Sequence, residues 1–176
     1  MSTRSLPGSS APPERSHAFR PVAGPETRLL ILGSLPGVAS LAAGEYYAHP
    51  RNAFWRLIGA VTGRDLAALP YPARLVALRS AGVGLWDVVA SAERRGSSDG
   101  SIRAASAADL AGLVAELPEL RAIGFNGAAA ARIGRKALVG IHATLVDLPS
   151  SSPAHAAMPF AAKRDRWASL AQFLAA

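Results

Sequence analysis

Residues 28–37 read RLLILGSLPG, a short aliphatic segment that continues directly into a loop with two glycines. Its first five residues have the length and composition of a buried β-strand. Three more segments of this kind follow, at residues 83–86 (VGLW), 121–125 (RAIGF) and 143–148 (ATLVDL). The spacing of apolar residues predicts helices between and after these strands, at residues 52–61, 72–79, 106–117, 128–138 and 163–174.

Strands that alternate with helices predict an α/β protein with a parallel sheet covered on both faces. We therefore expect a single domain with three αβα layers around a central four-stranded parallel sheet, and Ser106 as the N-cap of the third helix. Ligands of such sheets bind beyond the carboxyl ends of the strands. This rule makes the loops that follow residues 32, 86, 125 and 148 the candidate functional segments.

Length and composition are those of one folded domain, because half of the 176 residues are apolar. Residues 1–25 are rich in Ser, Pro and Gly, so we expect a flexible lead-in there and the folded domain in residues 26–176. The N-terminus lacks the apolar core of a secretory signal, and no apolar run is long enough to span a membrane. We expect a cytoplasmic protein that does not bind membranes.

The charge of the chain favours a polyanionic partner. The formal net charge is +7, and 17 of the 19 basic residues are arginines, whose planar fork pairs well with phosphate. The absence of cysteine excludes disulfides, thiolate zinc sites and iron–sulfur clusters. The four histidines form no i,i+4 pair, so we expect neither a metal nor another cofactor.

Two of the candidate loops carry polar residues that suit a nucleic-acid ligand. Residues 44–55 (GEYYAHPRNAFW) combine aromatic rings, which stack on bases, with a His, an Arg and an Asn at a loop-to-helix junction. Residues 148–156 (LPSSSPAHA) offer hydroxyls and amides that can hold phosphate oxygens. A structural role is the alternative, in which Phe54 and Trp55 are core residues and Asn52 caps a helix.

Taken together and in order, four blocks resemble the uracil-DNA glycosylase superfamily, with the strongest similarity to its hypoxanthine-DNA glycosylase branch. The blocks are GSLPGVASL (33–41) with YYAHPRNAFW (46–55), GVGLWDVV (82–89) followed by RRGSSDGSI (94–102), GFNG (124–127), and LPSSSPAHA (148–156). The resemblance implies a monofunctional DNA glycosylase that hydrolyses the N-glycosidic bond of deaminated bases in base excision repair, without a cofactor.

The resemblance also implies roles for individual residues. Mismatch-specific relatives have a water-handling Asn where this chain has Leu35, so the catalytic role falls to Asn52 of the HPRN segment. Tyr47 matches the aromatic residue that stacks on the flipped base, and Asp87 lies where several relatives have a base-reading Asn. Backbone amides at Ser34 and Leu35 complete the expected base-binding set. The expected DNA contacts are Gly37, Ser40, His49, Arg51, Ser150, Ser151, Ser152, Pro153 and His155.

Several alternatives stay open on the sequence. An ionised Asp87 only accepts hydrogen bonds, which suits the N3–H of uracil and the N1–H of hypoxanthine equally; it could instead cap a helix after its strand. The same sheet could also carry a nucleotide-binding module, or a catalytically inactive DNA-binding relative, since Leu35 and Ser150 replace the usual catalytic groups. We expect a monomer that acts on damaged duplex or single-stranded DNA.

Overall fold

The structure is a computed structural model that describes residues 15–93 and 103–175. Its main sheet has four parallel strands in the order β3-β2-β6-β7. The elements follow in chain order as β1 (Arg15–His17), β2 (Leu29–Gly33), α1 (Val38–Ala43), α2 (Phe54–Thr62), α3 (Tyr71–Ser80), β3 (Val83–Asp87), β4 (Val89–Glu93), β5 (Arg103–Ala107), α4 (Leu110–Ala115), β6 (Ala122–Asn126), α5 (Ala128–Ala137), β7 (Thr144–Leu148), α6 (Phe160–Ala168) and a 3-10 segment (Ser169–Phe173). The predicted α/β class and its four parallel strands are confirmed.

Helices cover both faces of this sheet, which gives the expected three layers. Alternate residues of β2 face opposite sides, because side chains along a strand alternate in direction. Leu29 and Ile31 pack in one core with α2, α3, α6 and the 3-10 segment. Leu30 and Leu32 pack in a second core with α4 and α5. No helix within residues 15–93 and 103–175 is both long and apolar enough to cross a membrane.

A second, smaller sheet was not predicted from the sequence. Strands β1, β4 and β5 pair antiparallel in the order β1-β4-β5, and β4 follows β3 after a single residue. Ser106 therefore lies in β5, and the prediction that it caps a helix was wrong. The cap is Asp109, whose carboxylate accepts the amide of Gly112 at 2.9 Å. Glu93 ends β4, and residues 94–102, which carry the RRGSSDGSI part of the resemblance, lie outside the described part.

The ordered fold begins before residue 26, where we expected the domain to start. Arg15–His17 pairs with β4, and Val22 exchanges two backbone hydrogen bonds of 2.8 Å with Leu85 of β3. Residues 15–25 therefore pack against both sheets rather than preceding them. The rest of the expected lead-in, residues 1–14, lies outside the described residues.

Candidate active site

A cavity of about 140 Å³ opens at the carboxyl ends of the four parallel strands. The sheet order reverses between β2 and β6, and in parallel sheets such switch points hold the ligand. A closed cavity of roughly 150 Å³ holds a benzene ring, so this cavity, which opens to solvent, can admit a flat aromatic group. The structure brings twelve of the predicted site residues to its lining, namely Ser34, Leu35, Gly37, Ser40, Tyr47, His49, Asn52, Asp87, Ser150, Ser151, Ser152 and Pro153.

Two loops face each other across this cavity. The first cavity loop, residues 33–52, leaves β2 and leads to α2, and the second cavity loop, residues 149–158, leaves β7 and leads to α6. The amide of Ala53 donates to the carbonyl of Ser151 at 3.0 Å, which joins the two loops directly. Their polar residues are therefore held within one rigid frame.

The floor of the cavity is the end of β2 beside the end of β3. A Cβ atom placed on Gly33 would lie 2.8 Å from Asp87 Oδ1 and 3.0 Å from Tyr47 Oη, so only glycine fits there. The amides of Val88 and Val89 donate to the carbonyls of Gly33 and Ser34, at 2.8 and 3.1 Å. These bonds hold the carboxylate of Asp87 against the first cavity loop. The strand β4 follows, so Asp87 does not cap a helix.

Tyr47 is held in an uncommon backbone conformation. Its φ of +55° makes it the one non-glycine residue with positive φ in the described chain, in a region that aromatic residues rarely adopt. Its ring stacks on Phe54 with centroids 3.8 Å apart and planes 13° apart. Phe54 covers one face of the Tyr47 ring, and Tyr47 also lines the cavity, so a ligand in the cavity would contact this side chain. Strain of this kind concentrates at functional sites.

Tyr46, the neighbouring tyrosine, anchors the loop that carries Tyr47. Its amide donates to the hydroxyl of Tyr71 at 3.0 Å, and its carbonyl accepts the indole N–H of Trp55 at 3.2 Å. Burial raises the pKa of the Tyr46 hydroxyl, and the nearby carboxylate of Asp87 raises it further. Tyr46 therefore stays neutral and acts as a fixed wall of the cavity.

Ser40 also holds the first cavity loop from within. Its hydroxyl accepts the amide of Ala48 at 3.2 Å, and its side chain is buried. The DNA contact that we expected of Ser40 does not fit this burial, because its hydroxyl is turned towards the loop rather than towards solvent.

Asn52 precedes α2 and lines the cavity. Its Oδ1 accepts the amide of Phe54, the first residue of α2, at 3.0 Å, so it satisfies one amide of the helix start although the N-cap position itself is Ala53. This capping contact fixes which end of the Asn52 amide is oxygen and leaves one lone pair of Oδ1 and the NH₂ group for other partners. His49 Nδ1 accepts the amide of Arg51 at 3.1 Å, which turns His49 Nε2 away from the backbone.

The second cavity loop is tied to the sheet through Asn126. The Asn126 amide group donates to Ser151 Oγ at 2.9 Å and accepts the Ser151 amide at 2.8 Å. Ser151 is 1% exposed, which contradicts the phosphate contact that we expected of it. Ser150 Oγ accepts the amide of Ser152 at 3.2 Å, so it shapes the turn as well.

Three predicted residues differ from the others in position. Arg51 and His155 are exposed and lie outside the cavity lining. The Leu35 side chain is buried in the second core, so only its backbone remains for a ligand. The sequence analysis did not identify five lining residues, which are Gly33, Pro36, Ala39, Tyr46 and Asn126. Asn126 could have been found, because it directly follows the predicted strand 121–125 at the ligand-binding edge.

The chemistry of the cavity is that of a site for a neutral aromatic ring. Its lining has aromatic and amide groups, and Asp87 is its one acidic residue, with no Arg or Lys among the described lining residues. The described part of the chain also has no cluster of three or more His, Asp or Glu side chains that could hold a metal ion. Such a cavity fits a nucleobase taken out of a nucleic acid.

Comparison with known proteins agrees with this class of site. Residues 21–172 match the family model described as the uracil DNA glycosylase superfamily. Two proteins named hypoxanthine DNA glycosylase are similar: one from Methanosarcina barkeri is 41% identical over 64% of this chain and 72% of its own length, and one from Methanosarcina acetivorans is 39% identical over 78% and 86%. A solution NMR structure of a candidate uracil DNA glycosylase from Methanosarcina acetivorans superposes with a TM-score of 0.82 at 35% identity, covering 92% of this chain and 99% of the other.

The chain therefore belongs to the uracil DNA glycosylase superfamily. Membership makes it a DNA N-glycosylase that excises deaminated bases, with DNA as its substrate.

Proposed function

We propose that this enzyme excises hypoxanthine from DNA, and that Asp87 selects the base. The observation that carries the proposal is the buried carboxylate of Asp87, 3% exposed, at the floor of a cavity whose described lining has no Arg or Lys. A carboxylate there accepts hydrogen bonds and offers none. The base that fits must therefore present a donor at its Watson–Crick edge.

Deamination creates such a donor in a purine. Adenine has a bare acceptor at N1, which a carboxylate repels, whereas hypoxanthine has an N1–H that a carboxylate accepts. The hydrogen on C2 lies beside N1–H, so the second carboxylate oxygen meets a weakly positive C–H rather than a lone pair. Adenine would be rejected strongly, because its N1 and the Asp87 carboxylate are both acceptors and would both lose their hydrogen bonds to water.

Uracil fits this floor less well than hypoxanthine. Its N3–H lies between two carbonyls, so a carboxylate that accepts N3–H with one oxygen places the other against a carbonyl oxygen. Guanine presents an N1–H and an amino group, and the Asp87 carboxylate can accept hydrogen bonds from both. Guanine must therefore be excluded before it reaches the cavity, by its base pair with cytosine. Opening a damaged or mismatched pair costs less than opening this intact pair. We propose that uracil and hypoxanthine are both substrates and that hypoxanthine is preferred.

The first cavity loop supplies the remaining contacts to the base. The exposed face of the Tyr47 ring is the stacking surface for a flipped base. The backbone amides of Ser34 and Leu35, which line the cavity, are the donors that we assign to the charge that develops on the departing base.

Asn52 is the group that we assign to the attacking water. The bond between the base nitrogen and C1′ breaks with its electron pair going to the base, which leaves an oxocarbenium-like sugar. Water bonds to C1′ and releases a proton to solvent, while the base takes up one proton. Because the cap to Phe54 fixes the Asn52 amide, its free Oδ1 lone pair can orient that water.

DNA contacts are assigned to groups around the cavity that keep solvent access. Ser40 and Ser151 are left out because both are buried. The residues that we assign to phosphate contacts are Gly37, His49, Arg51, Ser150, Ser152, Pro153 and His155. Phosphate contacts of this kind set the orientation of the DNA without reading its sequence.

The nucleotide-binding alternative is disfavoured by charge. A phosphate inside the cavity would meet the carboxylate of Asp87 and no Arg or Lys of the described lining. The inactive-relative alternative loses its main support, because Asn52 lines the cavity where Leu35 offers no polar atom.

A cleavage assay on matched oligonucleotides tests the proposal. Duplexes with a single hypoxanthine·thymine, uracil·guanine or guanine·cytosine pair are incubated with excess enzyme, and alkali then opens abasic sites. We expect single-turnover cleavage of hypoxanthine at least about tenfold faster than that of uracil, and none at guanine. Faster cleavage of uracil would refute the assignment of Asp87, and no cleavage of either base would support the inactive relative.

We also propose that the enzyme works as a monomer in the cytoplasm on both duplex and single-stranded DNA. Light scattering at assay concentration checks the monomer, and a dimer that dissociates with loss of activity would contradict it.

A further inference from the structure

One lysine of this chain is buried beside the second cavity loop. Lys163 of α6 is 6% exposed, and its ammonium group donates to the carbonyl of His155 at 2.7 Å. The chain has only two lysines, and the other, Lys136, is exposed near the end of α5. The two differ in burial while carrying the same charge, so they form a natural pair for comparison.

A second donor from the same face of α6 holds the other end of this loop. Trp167 lies four residues after Lys163, so the two side chains share one face of the helix. The Trp167 indole N–H donates to the carbonyl of Pro149 at 3.0 Å. Lys163 and Trp167 thus clamp residues 149 and 155, the two ends of the segment that carries the serines and His155.

Stability alone does not account for a lysine at this position. Burial lowers the pKa of Lys163, which reports the cost of removing its charge from water. No ion pair among the described residues includes Lys163. An apolar side chain of similar length would fill the space without that cost. An apolar residue could not donate the hydrogen bond that Lys163 gives to the carbonyl of His155.

The tip of the loop has few other restraints. The His155 amide donates to the Ser152 carbonyl at 3.1 Å, and the Ala154 amide donates to Ser152 Oγ at 3.2 Å, so these bonds stay within the turn. The His155 side chain is exposed. Asn126 and Ala53 anchor Ser151 on one side of the turn, and the contact from Lys163 anchors His155 on the other side. Ordering a loop before binding reduces the entropy lost on binding.

We propose that Lys163 is a positioning residue for DNA binding: together with Trp167 it holds the second cavity loop in the shape that presents Ser152 and His155 to duplex DNA. This inference rests on the proposed role of that loop in DNA contact. It does not depend on which base the enzyme removes.

Binding measurements separate a positioning role from a structural one. Fluorescence anisotropy compares Lys163→Met with wild type on a duplex with an abasic-site analogue and on the same labelled strand alone, at one salt concentration. We expect Kd for the duplex to rise about tenfold and Kd for the single strand to change less than about threefold. Loss of folded molecules would weaken both by the same factor.

Two further variants serve as controls. Lys136→Met removes the same charge from an exposed site, and it should leave the duplex-to-single-strand ratio unchanged. Lys163→Arg keeps a charged donor, and it should restore most of the duplex affinity. Equal weakening on both DNAs, or a ratio in Lys163→Met that matches Lys136→Met, would overturn the proposal.

The proposal can still be tested if Lys163→Met proves too unstable for binding measurements. Lys163→Gln keeps a shorter amide donor in place of the ammonium group, and the same ratio is measured well below its Tm; an unchanged ratio there overturns the proposal as well. Wild-type enzyme that binds the abasic duplex but leaves hypoxanthine uncut would contradict the proposed function only. The two failures are therefore distinguishable.

Discussion

The two cavity loops contain similar polar residues and use them in opposite ways. In the first cavity loop, Asn52 and Tyr47 are held by Phe54 and still present groups to the cavity. In the second, Ser151 directs its amide and its hydroxyl to Asn126 and is buried. We therefore propose that the first loop carries the chemistry and that the second is mainly a support with an exposed tip. Substitutions at five positions test this division.

Asn52→Ala should have the largest effect on catalysis. We expect the single-turnover rate to fall well over tenfold, because no other amide in the first cavity loop can orient the water. Loss of the cap should also lower the free energy of unfolding by about 0.5–2 kcal/mol.

Asn52→Ser separates these two roles. Serine also caps helices but is too short to replace the amide, so this variant should be slow and close to wild type in Tm. A fast Asn52→Ser enzyme would reduce Asn52 to a helix cap.

Tyr47→Ala should weaken productive base binding by about 1–3 kcal/mol, which is the usual contribution of one base–aromatic stack. Tyr47→Phe keeps both the ring and its packing on Phe54, so it should lose much less. The ratio of rate to KM on hypoxanthine DNA measures both. If the two variants lose equally, the Tyr47 hydroxyl is the active group rather than the ring face.

Asp87→Asn should change which base is preferred. Asparagine can accept N3–H and also donate to a carbonyl of uracil, so the ratio of hypoxanthine to uracil cleavage should fall by at least about fivefold. Single-turnover rates on both substrates give this ratio. An equal loss on both bases, together with a lower Tm, would indicate a structural role for Asp87.

His155→Ala should slow duplex cleavage several-fold more than single-strand cleavage, because its exposed side chain fills or braces the gap left by a flipped base. The carbonyl that binds Lys163 is unaffected. His142→Ala is the matched control, since His142 is exposed just before β7, at the opposite end of the sheet. Equal slowing on both DNAs would show that the His155 side chain does not fill the gap that a flipped base leaves in the duplex.

Ser151→Ala should have the smallest effect on the reaction. It removes the acceptor of the Asn126 amide in a buried site, so we expect a loss of about 1–3 kcal/mol in the free energy of unfolding. The single-turnover rate per folded molecule should stay within about twofold of wild type. A large rate loss without destabilisation would place Ser151 in the chemistry and break the division between the loops.

Much of this arrangement was predictable from the sequence. The four aliphatic segments of the main sheet are short, continuous and bounded by loops, so their burial is visible in the order of residues. The edge of the sheet that binds the ligand follows from strand direction alone. The resemblance of the YYAHPRNAFW and GVGLWDVV blocks to a known family implied that Tyr47, Asn52 and Asp87 form one site, and all three line the cavity.

The tertiary structure decided what those side chains contact. Strands β4 and β5 are rich in alanine and serine, so their pairing has no apolar signal and depends on long-range hydrogen bonds. Asn126 and Ser151 are 25 residues apart, and only the fold brings them together. The same holds for Lys163 and the carbonyl of His155. Local composition and period determine which segments are buried, whereas the partner of a buried polar group depends on how distant segments pack.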